Sequence, residues 1–392
     1  MPFHLRLLAL LLLLPLALAA CTSPRGLPSP SPSPFPTLTF TSQPAPTLAA
    51  SLTPTPRPAT QTPPQPSATA AQAVSSSTPV PTPTGALLPT PAGAGILRYD
   101  PHDLVLALAW SPDGKILAMA AGEDIHLVDA DTLVELRLLP VGAWAGSLAF
   151  SPDGTRLALA AKDGSVQLWD PAAGQLQCRL EAHHPGAKSV TFSPDGRWLA
   201  STGNDAYVRL WDITAIPVAG ACDLLPTAEM IGGVFSVPAA AFSPDGTLIA
   251  SVDANSILLR EVSSQRLVRT IHAEASIFSL AYHPGGSRLA SAELGNTIHI
   301  WDVSSGERLQ EISRPGLANA YISSVAFSPD GKLLAAGSSA GEVTLWDPAD
   351  GTLLLSYQHT RAVTGLAFRP DGLRLASGSL DATVRVWPLD IP

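Results

Sequence analysis

The chain has few residues of the kinds that carry out chemistry. Its 392 residues include only three cysteines and nine histidines, and charged residues make up 14% of the sequence. Neither the glycine-rich phosphate loop of nucleotide hydrolases nor the His-Glu-x-x-His helix of metalloproteases occurs. The adjacent His183 and His184 have no cysteine or carboxylate partner at the spacing that metal sites use. We therefore expect a protein that is not an enzyme and that holds neither a metal nor a cofactor.

Clustered positive charge is also missing. All 32 acidic residues and 20 of the 23 basic residues lie beyond residue 92, so that this part of the chain has a formal charge of −12. Proteins that bind nucleic acid use clustered Lys and Arg to contact phosphates, and no such cluster occurs. The composition argues against a nucleic-acid partner, and we interpret the acidity as an aid to solubility rather than as recognition of a basic partner.

Residues 22–92 lack the apolar side chains that a folded core needs. They contain 19 of the 39 prolines and two charged residues, Arg25 and Arg57. Proline-rich tracts extend by ~3.1 Å per residue, so this segment can reach on the order of 200 Å. We predict that residues 21–92 form a disordered linker rich in Pro, Thr and Ser, which acts either as a stalk or as a passive connection.

The first residues resemble an export signal. Arg6 precedes an apolar run from Leu7 to Leu18, which is too short to span a bilayer as a stable helix. The run ends in Leu18-Ala19-Ala20-Cys21, which is similar to the lipobox of bacterial lipoproteins. That resemblance implies removal of residues 1–20, a lipid on Cys21 and an extracytoplasmic protein anchored to a bacterial membrane. An ordinary secretory signal with a chance cysteine is the alternative.

A repeat occupies the rest of the chain. Seven times an aromatic residue is followed by a Ser-Pro-Asp-Gly-like turn and an apolar run, and the intervals between turns are 40, 42, 50, 40, 45 and 41 residues. The aromatic residues are Trp110, Phe150, Phe192, Phe242, Tyr282, Phe327 and Phe368. A period of this length corresponds to one four-stranded propeller blade. We therefore predict an all-β, seven-bladed β-propeller over residues 93–392.

The ends of the third strands point to a particular family. Four of them carry a complete Trp-Asp pair, at Trp169, Trp211, Trp301 and Trp346, and the repeats resemble the WD-repeat family over about residues 93–392. In that family a hydrogen-bonded His, Ser, Asp and Trp set often locks a blade. Two blades match it at every position: His183, Ser201, Asp205 and Trp211, and His359, Ser377, Asp381 and Trp387. The second blade has Leu159 in place of the Ser, and the fifth has Gly295 in place of the Asp.

The two ends of the repeat region are expected to meet. The last repeat ends its third strand at Trp387, and Pro388 to Pro392 are too few and too proline-rich to add a fourth. The segment from Gly93 to Tyr99 lies at the right distance before the first turn to supply the missing strand. Pairing of these segments would close the ring and remove its open edges.

The loops before the first strands are the candidate binding surface. Six residues lie near the start of those strands: Asp103, Trp144, Lys188, Phe235, Tyr321 and Arg361. Trp, Tyr and Arg are enriched at interface hot spots, although each side chain could instead pack between blades, the role we favour for Phe235. The family resemblance implies a scaffold that binds a protein or peptide on this face.

Two other functions remain open. Propellers of other families carry enzyme sites on one face or in the channel, so an enzyme or enzyme subunit is one alternative. An envelope assembly factor is the other, because Trp110-Ser111-Pro112-Asp113-Gly114 is similar to a motif of the six-bladed propeller of the Tol system. Cys178 and Cys222 fall near the outer strands of neighbouring blades, the second in a longer connection. An oxidising envelope would permit a disulfide between them, but outer strands of adjacent blades splay apart, and we expect two free thiols.

Overall fold

The computed structural model describes residues 97–216, 222, 224–234, 236–313 and 320–389. The predicted signal peptide, the linker, Cys21 and Phe235 lie outside these residues. Within the described part of the chain, strands and turns dominate, and the short 3₁₀ helix Ile213–Ala215 breaks the pattern once. None of the described helices is long and apolar enough to cross a membrane.

The described strands form seven antiparallel sheets of four strands each. The first strand of the chain is β1 (Leu97–Tyr99). The innermost strands are β2 (Val105–Trp110), β6 (Ala145–Phe150), β10 (Ala187–Phe192), β14 (Ala240–Phe242), β18 (Ile277–Tyr282), β22 (Ile322–Phe327) and β26 (Val363–Phe368). The second strands are β3 (Ile116–Ala121), β7 (Leu157–Ala161), β11 (Trp198–Gly203), β15 (Leu248–Asp253), β19 (Arg288–Glu293), β23 (Leu334–Ser338) and β27 (Arg374–Ser379).

The third strands are β4 (Asp124–Asp129), β8 (Ser165–Asp170), β12 (Tyr207–Asp212), β16 (Ser256–Glu261), β20 (Thr297–Asp302), β24 (Glu342–Trp346) and β28 (Val384–Pro388). The outer strands that follow them are β5 (Glu135–Leu139), β9 (Gln175–Glu181), β13 (Ala228–Ile231), β17 (Leu267–His272), β21 (Arg308–Ser313) and β25 (Leu353–Gln358). The prediction of an all-β, seven-bladed propeller is confirmed.

The ring closes by pairing its two ends. The last sheet has the order β1-β28-β27-β26, with Leu97 opposite Val386 and Tyr99 opposite Val384. The inner strands of the first and last blades are also joined, because the Thr364 hydroxyl donates to the Val105 carbonyl at 2.8 Å. Closure leaves the ring without an open edge between its first and last blades.

The hairpins between first and second strands pack against one another around the ring. In the first hairpin, the Ser111 hydroxyl donates to Asp113 Oδ1 at 2.7 Å and accepts from the Ile116 N–H at 2.9 Å. Gly154 has a φ of +73°, and an added Cβ would be in ordinary van der Waals contact with Pro112 Cδ of the preceding hairpin, at 3.5 Å. The left-handed turn therefore favours glycine, whereas the contact between neighbouring blades does not require it.

Buried polar networks join the strands within several blades. In the third blade, His183 lies 2.8 Å from Asp205 Oδ1 and 2.9 Å from Ser201 Oγ, and Trp211 Nε1 donates to the same hydroxyl at 2.9 Å. The last blade repeats this arrangement around Ser377. Each hydroxyl links the second and third strands of its blade to the histidine in the loop before the inner strand, so that buried polar atoms gain partners where water has no access.

Other blades use different residues for the same task. In the fifth blade, Trp301 Nε1 donates to Ser291 Oγ at 2.8 Å, and that hydroxyl donates to Glu293 at 2.7 Å. His299 completes the set at 2.8 Å from Glu293. In the second blade, where Leu159 replaces the serine, Trp169 Nε1 donates to the amide oxygen of Gln167 at 3.0 Å.

The expectation of two free thiols is wrong. Cys178 on β9 and Cys222 form a disulfide, with their Cα atoms 5.2 Å apart. Cys222 lies in the long connection between β12 and β13 rather than on an outer strand, so the splay of neighbouring blades does not separate the two residues. The bond ties the second blade to the connection of the third.

Candidate functional site at the channel mouth

A β-bulge recurs near the start of the inner strands. In six blades the pairing register skips one residue there, and those residues are Leu106, Gly146, Lys188, Phe278, Ser323 and Thr364. Pro238 holds the corresponding place two residues before β14. A bulge turns a side chain out of the ladder, which is why bulges occur next to binding sites. These seven positions form what we call the bulge ring.

The bulge ring surrounds the mouth of the central channel. All seven positions line a cavity of about 500 Å³, and all seven also line a smaller cavity of about 220 Å³ that extends along the inner strands. The larger volume lies within the range of about 300–1,000 Å³ that is typical of ligand sites. The mouth is therefore large enough to receive a few side chains of a partner.

A second tier of residues stands beside the bulge ring. Lys162, Asn204 and Leu380 each follow a second strand and also line the larger cavity. Their backbone N–H groups donate to the carbonyls of residues 144, 186 and 362 at 2.8, 2.9 and 2.9 Å. Backbone bonds thus fix these positions against the segments that lead into the inner strands.

One sector of the mouth is cationic. Lys162 and Lys188 are exposed, and the Lys162 ammonium lies 5.3 Å from the centre of the Trp144 ring. The ion pairs formed among the described residues include neither lysine. Both ammonium groups are available to an anion that enters the mouth.

Another sector is aromatic. The rings of Phe278 and Tyr321 lie 4.6 Å apart at an angle of 32°, a tilted arrangement that gives them a common surface. Tyr321 is 36% exposed, and its backbone N–H donates to the Ser339 hydroxyl at 3.1 Å. Leu294 pairs with Tyr321 in an isolated bridge and is 53% exposed. This sector offers apolar contact area to a ligand.

Comparison with known families agrees with the architecture. The WD40 family (WD domain, G-beta repeat) matches residues 95–127, 142–170, 174–212, 265–302, 310–347 and 351–388, which is more than half of the chain. The chain belongs to this family. Over 104 residues it is 34% identical to the probable serine/threonine-protein kinase PkwA of Thermomonospora curvata, and the similar region spans 26% of this chain but only 13% of that protein. WD40 propellers generally mediate protein–protein interaction.

The WD40 propeller brings together some of the residues that the sequence singled out. Lys188 and Tyr321 both line the mouth, and Trp144 lies next to it beneath Lys162. Asp103 and Arg361 are exposed in neighbouring loops but do not line the cavity. Phe235 lies outside the described residues.

Phe278, Lys162 and Asn204 also line the mouth, although they were not among the residues predicted from the sequence. A signal for the first was present, because Lys188 and Phe278 each lie four residues before the aromatic that opens the turn. Counting back by that fixed interval from every aromatic identifies the whole bulge ring. The second-tier residues also carried a positional signal, because Lys162, Asn204 and Leu380 each lie twelve residues after the aromatic that precedes the turn.

The chain also contains a Gly-x-Ser-x-Gly stretch, from Gly337 to Gly341, which in hydrolases can carry a nucleophilic serine. Here the stretch begins on β23 and its serine, Ser339, lies in the turn between β23 and β24 rather than between a strand and a helix. The Ser339 hydroxyl accepts from the Tyr321 N–H, which gives it a structural role. Among the described residues, no three His, Cys, Asp or Glu side chains are placed to hold a metal ion.

Proposed function

We propose that this WD40 propeller is a module that binds a protein or peptide at the channel mouth, and that a lipid on Cys21 holds it at the extracytoplasmic side of a bacterial membrane. In this role the propeller binds a partner and catalyses no reaction. The observation that carries the proposal is the cavity of about 500 Å³, because the half-buried Phe278, the exposed Tyr321 and two exposed lysines line it together.

The aromatic pair is the expected anchor. Binding energy at protein interfaces concentrates in a few residues, among which aromatic side chains and Arg are over-represented. Phe278 lies on β18 and Tyr321 directly precedes β22, and their rings are 4.6 Å apart, so a partner that covers both removes a joint apolar surface from water. The backbone bonds of the surrounding loops keep this surface in one conformation, which lowers the entropic cost of binding.

The disulfide supports the proposed location. Disulfides persist in oxidising compartments and are rare in the reducing cytosol, and Cys178 and Cys222 form one. The lipobox-like segment that ends at Cys21 independently predicts an exported protein. The proposal therefore rests on two features that are far apart in the chain.

The binding proposal is tested by capture from cell-envelope extract. The purified chain is compared with a double variant, Phe278→Ala and Tyr321→Ala. Leu373→Ala is the control, because Leu373 is exposed in the hairpin that follows β26, at the end of that strand away from the mouth. A partner retained by the parent and the control should be lost from the double variant, with a weakening of more than about 2 kcal/mol. Equal retention by all three proteins would reject the channel mouth as the binding site.

The anchoring proposal has its own test. In cells, the parent chain should fractionate with membranes, and the mass of its mature N-terminus should show acyl chains on Cys21. The Cys21→Ser variant should lose the lipid and leave the membrane fraction, since anchoring depends on buried acyl groups. A variant that stays on the membrane would refute a lipid at this position.

A further inference from the structure

The electrostatics of the mouth differ from those of the ring as a whole. Residues beyond position 92 carry a formal charge of −12. Yet the residues that line the larger cavity include Lys162 and Lys188 and contain no Asp or Glu. A local positive site in an acidic protein attracts an anionic group to that place while repelling anions elsewhere.

A neutral donor stands beside the two lysines. The amide oxygen of Asn204 accepts from the Ser236 hydroxyl at 3.2 Å, which orients the side chain. Its Nδ2 atom faces the cavity wall at Gly186, where an added Cβ would lie 3.3 Å away. Within the described residues, no acceptor takes the hydrogens of this amide. The sector thus offers two ammonium groups and one amide to the oxygens of a ligand.

The size of the site limits the number of charges that it can accept. Two lysines in a ring of net negative charge cannot track a phosphate backbone, which needs a series of cations. A carboxylate, with one charge and two acceptor oxygens, suits two ammonium groups and an amide. The aromatic sector formed by Phe278 and Tyr321 lines the same cavity, so an apolar group must be present in the same ligand to fill it.

We propose that the channel mouth recognises an acidic peptide segment of a protein partner, in which an Asp or Glu lies close to a bulky apolar side chain. The carboxylate meets Lys162, Lys188 and Asn204, and the apolar side chain covers Phe278 and Tyr321. This assignment rests on the proposed binding function and adds the chemistry of the partner.

The test is a selection from a random octapeptide phage library with the purified full chain as the target. Peptides that carry Asp or Glu next to Phe, Trp, Tyr or Leu should be enriched. A synthetic peptide of the enriched sequence should bind about tenfold or more weakly to a Lys162→Gln, Lys188→Gln variant, because the variant lacks both charges that the carboxylate meets. A second peptide, in which Asn or Gln replaces the acidic residue, should bind the parent protein about tenfold or more weakly than the acidic peptide does.

Lys332→Gln is the matched control. Lys332 is an exposed lysine in the hairpin that follows β22, at the end of that strand away from the mouth. Its replacement by Gln removes one positive charge, as each mouth substitution does, but leaves the mouth intact. The control should bind the selected peptide as the parent does. Loss of binding by Lys332→Gln to the same degree would mean that net charge alone is responsible and would overturn the proposal.

The outcomes separate the partner chemistry from the binding function. Enriched peptides that lack acids but still need Tyr321 would reject the acidic ligand and leave the mouth as a binding site. A library that yields no enrichment, or peptides that bind the Tyr321→Ala variant as well as the parent, would reject both. Enriched polyanionic or phosphate-dependent binders that ignore the aromatic pair would also overturn the proposal.

Discussion

The Ser377 hydroxyl is the best place to test the role of the buried polar networks. It accepts from Trp387 Nε1 at 2.8 Å and lies 2.8 Å from His359 Nε2, and the serine is fully buried. The Ser377→Ala change removes one oxygen and creates almost no cavity. It therefore isolates the hydrogen bonds from the packing.

The expected magnitude follows from the atoms left behind. After the change, the indole N–H of Trp387 and Nε2 of His359 have no partner in a site that water does not reach. Each unsatisfied buried group costs about 1–3 kcal/mol, so the free energy of unfolding should fall by about 2–6 kcal/mol. For a domain of this size, each kcal/mol lowers Tm by about 2 °C.

Urea unfolding followed by circular dichroism measures this loss. Ser276→Ala is the control, because its side chain is exposed, and its free energy of unfolding should stay within about 0.5 kcal/mol of the parent value. A Ser377→Ala protein that matches the control would refute the reasoning. It would show that the tryptophan and histidine find other partners or that the blade relaxes at no cost.

Three further changes have definite expected results. Thr344→Val removes the hydroxyl that accepts from the neighbouring tryptophan at 2.9 Å, and should cost about 1–3 kcal/mol in the same urea assay. Replacing Cys178 and Cys222 by Ser should lower the free energy of unfolding by about 2–4 kcal/mol, because the bond closes a loop across 44 residues. Burial lowers the pKa of His183 and of His359 below 6.5, and stability should therefore fall as pH drops from about 7 to 5, since the unfolded chain binds protons that the folded chain does not.

Each of these results can fail in a recognisable way. An unchanged urea midpoint for the valine variant would mean that the indole N–H is satisfied elsewhere. Dithiothreitol should lower Tm of the parent but not Tm of the double serine variant. An equal decrease in both proteins would mean that loss of the disulfide does not cause the decrease. A Tm that rises as the pH is lowered from 7 to 5 would contradict the burial of neutral His183 and His359. A variant with glutamine in place of both histidines should show a smaller pH dependence of Tm.

The sequence alone determined the features that are encoded within one repeat. Proline, aspartate and glycine in a fixed order specify a tight hairpin through their own backbone preferences, and apolar alternation specifies the strands on either side. Because each blade contains its own signals, the period of about 40 residues was sufficient to predict seven blades. The Ser377 and Ser201 networks were predicted by a different route, because their members match the His, Ser, Asp and Trp set that the WD-repeat resemblance implies.

The tertiary structure decided which contacts form outside the repeat pattern, both within one blade and between blades. Glu293 takes the place of the missing aspartate because β19 and β20 bring it next to His299, a contact that the interval pattern does not contain. Cys178 and Cys222 pair because a long connection returns to the preceding blade. The mouth likewise exists only in the closed ring, where backbone bulges turn residues such as Lys188 and Phe278 toward one cavity. Local sequence specifies strands and turns, whereas a site built from several blades depends on how the closed ring positions them.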